Sequence, residues 1–153
     1  MRIRTVKTKD LGKLIRLEQD VFKDNAFSEE LLQKLIERNF LFLKLESGFL
    51  SGTIIGFVIV LKDMRNRVNL INLLIDSDYQ RKGYGKYLLA HTIHKVKKNR
   101  DIKTMILNVN VNNIAAIHLY QKFNFKIIKK IHEYYHSGED CYLMELNLTI
   151  IET

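Results

Sequence analysis

The stretch from Asn72 to Leu89 commits this chain to a sheet with helices packed on it. An apolar run ends near Ile75, a short polar turn follows, and Gln80-Arg81-Lys82-Gly83-Tyr84-Gly85 opens a helix near Lys86. Glycines at a helix start let backbone approach a ligand closely. The first N–H groups of the helix have no intrahelical acceptor and carry partial positive charge. Arg81, Lys82 and Lys86 add full charges at the same end. Together these features form a cradle for a phosphate or pyrophosphate. The alternative is an ordinary strand–turn–helix junction with solvated lysines.

Two phosphate-binding signatures are excluded by spacing. A dinucleotide fingerprint needs a third glycine where this chain has Leu88, and a nucleotide P-loop needs a longer gap between its glycines. The pattern present is Gln/Arg-x-x-Gly-x-Gly/Ala, which resembles the acyl-CoA loop of the GNAT superfamily of N-acetyltransferases. A later block, Asn113-x-x-Ala116-x-x-x-Tyr120 with Asn124-Phe125 behind it, looks like the superfamily's next conserved-order segment. Tyr134-Tyr135, then Ser137-Gly138-Glu139-Asp140 and the strand from Cys141 to Leu146, are similar to its closing hairpin. The resemblance extends from Thr5 to about Leu148. Within the superfamily it is greatest to ribosomal-protein-alanine and protein N-terminal acetyltransferases.

The resemblance implies acetyl-CoA as the cofactor, held by Leu73, Leu74, Ile75, Arg81, Lys82, Gly83, Tyr84, Gly85, Lys86 and Asn113. It implies Tyr120 as the acid that serves the departing thiolate. The acceptor, a primary amine and foremost a protein N-terminus, would meet Phe22, Asn108, Tyr134 and Tyr135. Read from the residues alone, Tyr120 is also a plausible core aromatic beside Ile117 and Phe123, and Asn113 is also a good helix N-cap. Tyr134 and Tyr135 are equally an aromatic hairpin packed on the sheet.

An attacking amine must be neutral, so a base or a water relay has to take its proton. Ribosomal-protein-alanine acetyltransferases carry a glutamate where this chain has Asn108, and an amide cannot act as a base. Asn69 and Asn72 on the preceding strand do not titrate either. Two routes stay open: ordered water held by Asn108 and Asn72, or a residue from elsewhere, with His132, Glu133 and Tyr134 on the hairpin as candidates.

At 153 residues the chain is expected to form one domain over its whole length, with a core that needs neither disulfide nor metal. Cys141 is the single cysteine, which points to a reducing compartment, the cytoplasm, and in an alternating strand it reads as structural. No apolar run approaches the ~20 residues that span a membrane. The net charge of +8 suits an anionic partner such as coenzyme A, with nucleic acid or ribosome proximity a second option. The basic run Lys95 to Arg100 reads as a solvated helix end, and no nucleic-acid-binding motif accompanies it.

Three rival functions are weighed by the same residues. The basic balance disfavours a polyamine or aminoglycoside-like acceptor, and the missing glutamate is compatible with a non-catalytic coenzyme A-binding protein. His132-Glu-Tyr-Tyr-His136 formally matches a zinc-protease signature, which requires a helix. The alternating flanks predict strand instead, where the two histidines would stand about 13 Å apart.

Periodicity predicts strands over Ile3–Val6, Phe40–Leu45, Thr53–Leu61, Arg67–Ile75, Lys103–Val109, Phe125–Glu133 and Asp140–Leu148. A turn carrying Ser-Gly separates the second strand from the third. Helices are expected after Thr8 as cap, after Ser28, from Gly85 and over Asn113–Phe123. In the first, Leu11, Leu14, Ile15 and Phe22 follow helical spacing, with Glu18 a charged exception on the apolar face. The fold class is α+β, a mixed α/β sandwich. The resemblance implies a central mixed sheet, mostly antiparallel with one splayed parallel strand pair, and helices on both faces.

Overall fold

Alternating stretches such as Arg67–Ile75 and near-continuous apolar runs such as that within Thr53–Met64 build seven strands, and the computed structural model, which describes residues 1–48 and 52–149, joins them in one sheet. The strands are β1 (Arg2–Thr5), β2 (Leu41–Ser47), β3 (Thr53–Met64), β4 (Arg67–Ile75), β5 (Thr104–Asn110), β6 (Lys126–Ile131) and β7 (Cys141–Asn147). Their order is β1-β2-β3-β4-β5-β7-β6, antiparallel throughout except for the β4–β5 pair. The expected α+β sandwich with one parallel pair is therefore the observed architecture. Part of the expected turn between β2 and β3, residues 49–51, lies outside the described residues.

Four α-helices cover the two faces. Helices α1 (Leu11–Phe22) and α2 (Glu29–Glu37) bury Leu14, Leu17, Leu32 and Leu35 against Phe42, Phe57 and Ile59. On the opposite face, α3 (Tyr84–Lys97) and α4 (Ile114–Lys122) bury Leu88, Leu89, Ile93, Ile117 and Tyr120 against Leu43, Val58 and Leu107. Each fully buried side chain of this size contributes about 1.5–3 kcal/mol relative to exposure, so both layers are needed to hold the sheet.

Local chemistry sets the helix ends. Ser28 Oγ accepts from the Leu31 N–H at 3.1 Å, and Asn113 Oδ1 accepts from the Ala116 N–H at 3.1 Å; both are N-caps. Thr8 does not cap α1, contrary to the sequence expectation. It lies in a 3-10 turn, Thr8–Asp10, that precedes the helix. Asp10 accepts from the Lys7 N–H at 2.8 Å and pairs with buried Lys44 at 3.0 Å, so its carboxylate ties this turn to β2.

A bulge in the centre of the sheet has the largest consequence for the site. Val60 pairs with Leu70 but Ile59 pairs with Asn72, so Ile71 is an extra residue in β4. An extra residue moves every following side chain to the other face. Val68 and Leu70 accordingly pack toward α3 and α4, while Leu74 packs toward α1 and α2. Among the described residues no helix is long and apolar enough to cross a membrane.

Candidate active site

Pairing between β4 and β5 ends at Leu70 opposite Leu107, and the two strands diverge beyond it. The bulge at Ile71 strengthens the local twist at that point. A cavity of about 540 Å³ lies in the gap, walled by Ile71, Asn72 and Leu73 of β4 and by Asn108 and Asn110 of β5. Helix α1 contributes Glu18 and Phe22, α4 contributes Tyr120, and the β6–β7 hairpin contributes Tyr135. Because β4 has no partner strand on this side beyond Leu70, its edge offers backbone hydrogen-bonding groups to whatever occupies the gap.

Glu18 is the ionisable group buried deepest in this wall, at 1% exposure. Oε1 accepts from the Phe27 N–H at 2.9 Å and Oε2 from Asn72 Nδ2 at 2.6 Å. Desolvation raises its pKa above 4.5, and these two donors only partly counter it. In the sequence Glu18 stands only as a charged exception on an apolar helix face. That misfit was the available signal, since a carboxylate on a buried stripe needs partners. Asn72 reaches it only because the bulge turns residue 72 toward α1.

Tyr120 is buried, its ring 5.6 Å from Phe125 in an edge arrangement, and it borders the same cavity. Burial pushes its phenol pKa up, so the hydroxyl keeps its proton across the neutral range and can donate it. One side chain thus belongs to the core and borders the cavity. Asn108 lines the cavity, with Nδ2 donating to the Tyr134 hydroxyl at 3.3 Å and Oδ1 facing Cys141 Sγ at 3.8 Å. Cys141 is buried and desolvation raises its pKa, in keeping with a structural thiol.

The other expected residues divide. Phe22, Leu73, Asn113 and Tyr135 border the cavity. Tyr134 does not, and reaches it only through Asn108 while packing edge-on against Tyr135 at 4.9 Å. Leu74 and Ile75 are core side chains on opposite faces, so only their backbone is available to a ligand. Arg81 to Lys86 stand beyond the cavity at the head of α3, linked to it by Gln80, which borders the cavity and donates to the Ile75 carbonyl at 2.8 Å. Gln80 is the first residue of the loop expected to cradle the pyrophosphate.

At the head of α3 the two glycines have different jobs. Gly83 is the N-cap with φ +86°, a conformation that side chains other than glycine's adopt only with strain, and a Cβ there would meet open space. Gly85 is helical, and its Cβ would touch Leu119 and Ile75 at 3.7 and 3.8 Å, ordinary contacts toward the protein interior. The first backbone bond of α3 runs from the Tyr87 N–H to the Gly83 carbonyl, so the N–H groups of Tyr84, Gly85 and Lys86 head the helix without intrahelical acceptors.

The hairpin candidates for a base are not brought to the cavity. His132 is 80% exposed at its side chain and pairs with Asp140 at 3.4 Å, and Glu133 is exposed. Residues 132–140 form turns and irregular backbone rather than the strand expected through Glu133, so neither helix nor strand geometry links His132 to His136. Among the described residues no cluster of three or more potential metal ligands occurs.

Residues 10–125 match the family model described as Acetyltransferase (GNAT) family. The chain is 27% identical to an N-alpha-acetyltransferase of Sulfolobus acidocaldarius, covering 94% of this chain and 90% of that protein. It is 28% identical to the [Ribosomal protein bS18]-alanine N-acetyltransferase of Escherichia coli strain K12, over 97% and 98% of the two chains. The crystal structure of the ribosomal-protein-S18-alanine N-acetyltransferase from Escherichia coli superposes with a TM-score of 0.85 at 29% identity, covering 99% of this chain and 96% of that one. Arabidopsis thaliana NAA60 in complex with acetyl-CoA shares the fold, with a TM-score of 0.83 at 19% identity over 95% and 98% of the chains.

Proposed function

Because the chain belongs to the acetyltransferase (GNAT) family, we propose that its cleft transfers acetyl groups from acetyl-CoA to the N-terminal α-amino group of a protein. The observation that carries this reading is the gap between β4 and β5, where a buried carboxylate and a buried phenol border one cavity.

The residues present fit coenzyme A. The free N–H groups heading α3, the left-handed Gly83 with open space before it, and Arg81, Lys82 and Lys86 suit a pyrophosphate. The unpaired edge of β4 suits the amides of an extended arm, and Asn113 with Gln80 borders its path. When bound, acetyl-CoA supplies a thioester carbonyl open to an amine.

Glu18 then takes the proton that the ammonium of the acceptor must lose, directly or through water held by Asn72 and Asn108. Its raised pKa brings it closer to that task than an exposed carboxylate. Tyr120, kept protonated by burial, donates to the departing sulfur. Phe22, Val21, Phe27 and Ile71 give the acceptor's first side chain an apolar wall, and Tyr135 stands at the hairpin side.

The test is turnover of acetyl-CoA with peptides differing in their first residue, beside spermidine and a peptide whose only amine is lysine. The likeness to the bS18-alanine enzymes makes ribosomal-protein N-termini the first to try. Turnover confined to α-amino groups supports the reading; turnover confined to spermidine replaces it with small-amine acetylation.

A further inference from the structure

Three segments distant in sequence meet on one carboxylate oxygen beside the cavity. Glu139 Oε2 accepts from Asn25 Nδ2 at 3.4 Å and from Asn110 Nδ2 at 3.1 Å, and the Ser137 hydroxyl lies against it. Asn25 Oδ1 accepts from the Ser137 N–H at 3.4 Å and also lies 3.1 Å from Ser137 Oγ. The hydroxyl has one proton and serves one of these two oxygens at a time. Hydrogen bonds to an ionised acceptor are the stronger kind, and Ser137, Asn25 and Asn110 together hold this carboxyl below its ordinary pKa.

The positions joined are those that shape the acceptor side. Asn25 ends the 3-10 turn Lys23–Asn25 that carries the chain out of α1, and Asn110 ends β5. Both border the cavity, as does Tyr135, whose N–H donates to the Glu139 carbonyl at 3.2 Å. Glu139 itself does not border the cavity. The turn after α1 has no strand partner, and beside the Phe27 N–H bond to Glu18 the side-chain bonds to the hairpin set its distance from β5.

We propose that Glu139 is a positioning residue for the acceptor: its carboxylate latches the turn after α1 and the end of β5 to the β6–β7 hairpin, setting the width of the opening through which the amine enters. This rests on the reading of the cleft as the place of acetyl transfer. The residue acts through Asn25, Asn110 and Tyr135, so its loss affects acceptor binding more than chemistry or coenzyme binding. A glutamine keeps the one oxygen on which the donors converge and should keep the latch.

Glu139→Ala and Glu139→Gln, at a half-buried position, separate these effects. In Glu139→Ala the acceptor KM should rise roughly tenfold with kcat held within about threefold and acetyl-CoA affinity by calorimetry within about twofold. Glu139→Gln should restore the acceptor KM. Amide hydrogen exchange across residues 23–27 should quicken in the alanine variant and not in the glutamine variant. An unchanged acceptor KM in Glu139→Ala overturns the proposal, as does a glutamine variant as impaired as alanine. If the wild type acetylates no peptide, the functional reading fails on its own, and the latch is decided by exchange: unchanged rates at 23–27 in Glu139→Ala overturn it.

Discussion

Asn72 Nδ2 donates to Glu18 Oε2 across 2.6 Å, joining β4 to α1 at the cavity wall over a separation of 54 residues. The contact pairs a non-titrating amide with a buried carboxyl whose other oxygen is taken by the Phe27 N–H. Glu18 is therefore fixed in place and left with a raised pKa.

Glu18→Gln should lower activity and raise stability together. Folding raises the Glu18 pKa above 4.5, so the folded chain binds this proton more tightly than the unfolded one. The associated stability is fully present below pH 4.5 and is lost as pH rises through the folded value. Glutamine removes that loss: its carbonyl can accept from Phe27 and its amide can donate to a flipped Asn72. Thermal melts at pH 7 should show a higher Tm, while kcat falls about hundredfold. Full activity in the folded variant would take the proton-accepting role away from Glu18.

The wild-type rate should carry an acidic limb above pH 4.5, because activity needs Glu18 ionised and burial raises its pKa. The limb should vanish from the kcat profile of Glu18→Gln. A limb that persists there at the same pH belongs to another group.

Tyr120→Phe retains the ring that packs edge-on against Phe125 and removes only the hydroxyl. Turnover should fall about ten- to a hundredfold with acetyl-CoA affinity little altered. Wild-type turnover in this variant would leave Tyr120 a packing residue alone.

Substitutions at the head of α3 should separate by position. Gly83→Asp places a negative charge and a side chain at φ +86°, and should weaken acetyl-CoA binding strongly, by roughly a hundredfold or more. Gly85→Ala adds a methyl group that meets only ordinary contacts, and should leave binding nearly unchanged. Calorimetry on both folded variants checks the pair; equal affinities would dissolve the pyrophosphate assignment.

Asn108→Ala tests the alternative route for the proton. If the proton passes to Glu18 without water on Asn108, kcat should stay within about threefold, since the lost amide contacts Tyr134 and Cys141. A hundredfold loss would place water held by Asn108 in the path of the proton, with the Glu18→Gln result deciding whether that path ends on Glu18.

What could be read from the sequence was what short stretches of chain determine for themselves. The left-handed glycine and basic side chains at the start of α3, the caps Ser28 and Asn113, and the alternation of β4 and β7 all depend on neighbours within a few residues. The strand expected through Glu133 failed at the hairpin, where bonds such as Glu133 N–H to Asp140 Oδ1 compete with ladder pairing. Tyr120 stands out as a candidate because its surroundings carry a recognisable spacing; Glu18 carries none, because its meaning lies in its partners. Which face Asn72 takes was decided by the extra residue at Ile71, an outcome of pairing between β3 and β4 that alternation alone cannot register. The meeting of Asn25 with Glu139, 114 residues apart, likewise exists only after the sheet has brought α1 and the hairpin to opposite sides of one cleft. Backbone conformation and capping are set locally, whereas the desolvation and convergent hydrogen bonds that give a carboxylate its chemistry arise only when distant segments pack and exclude water.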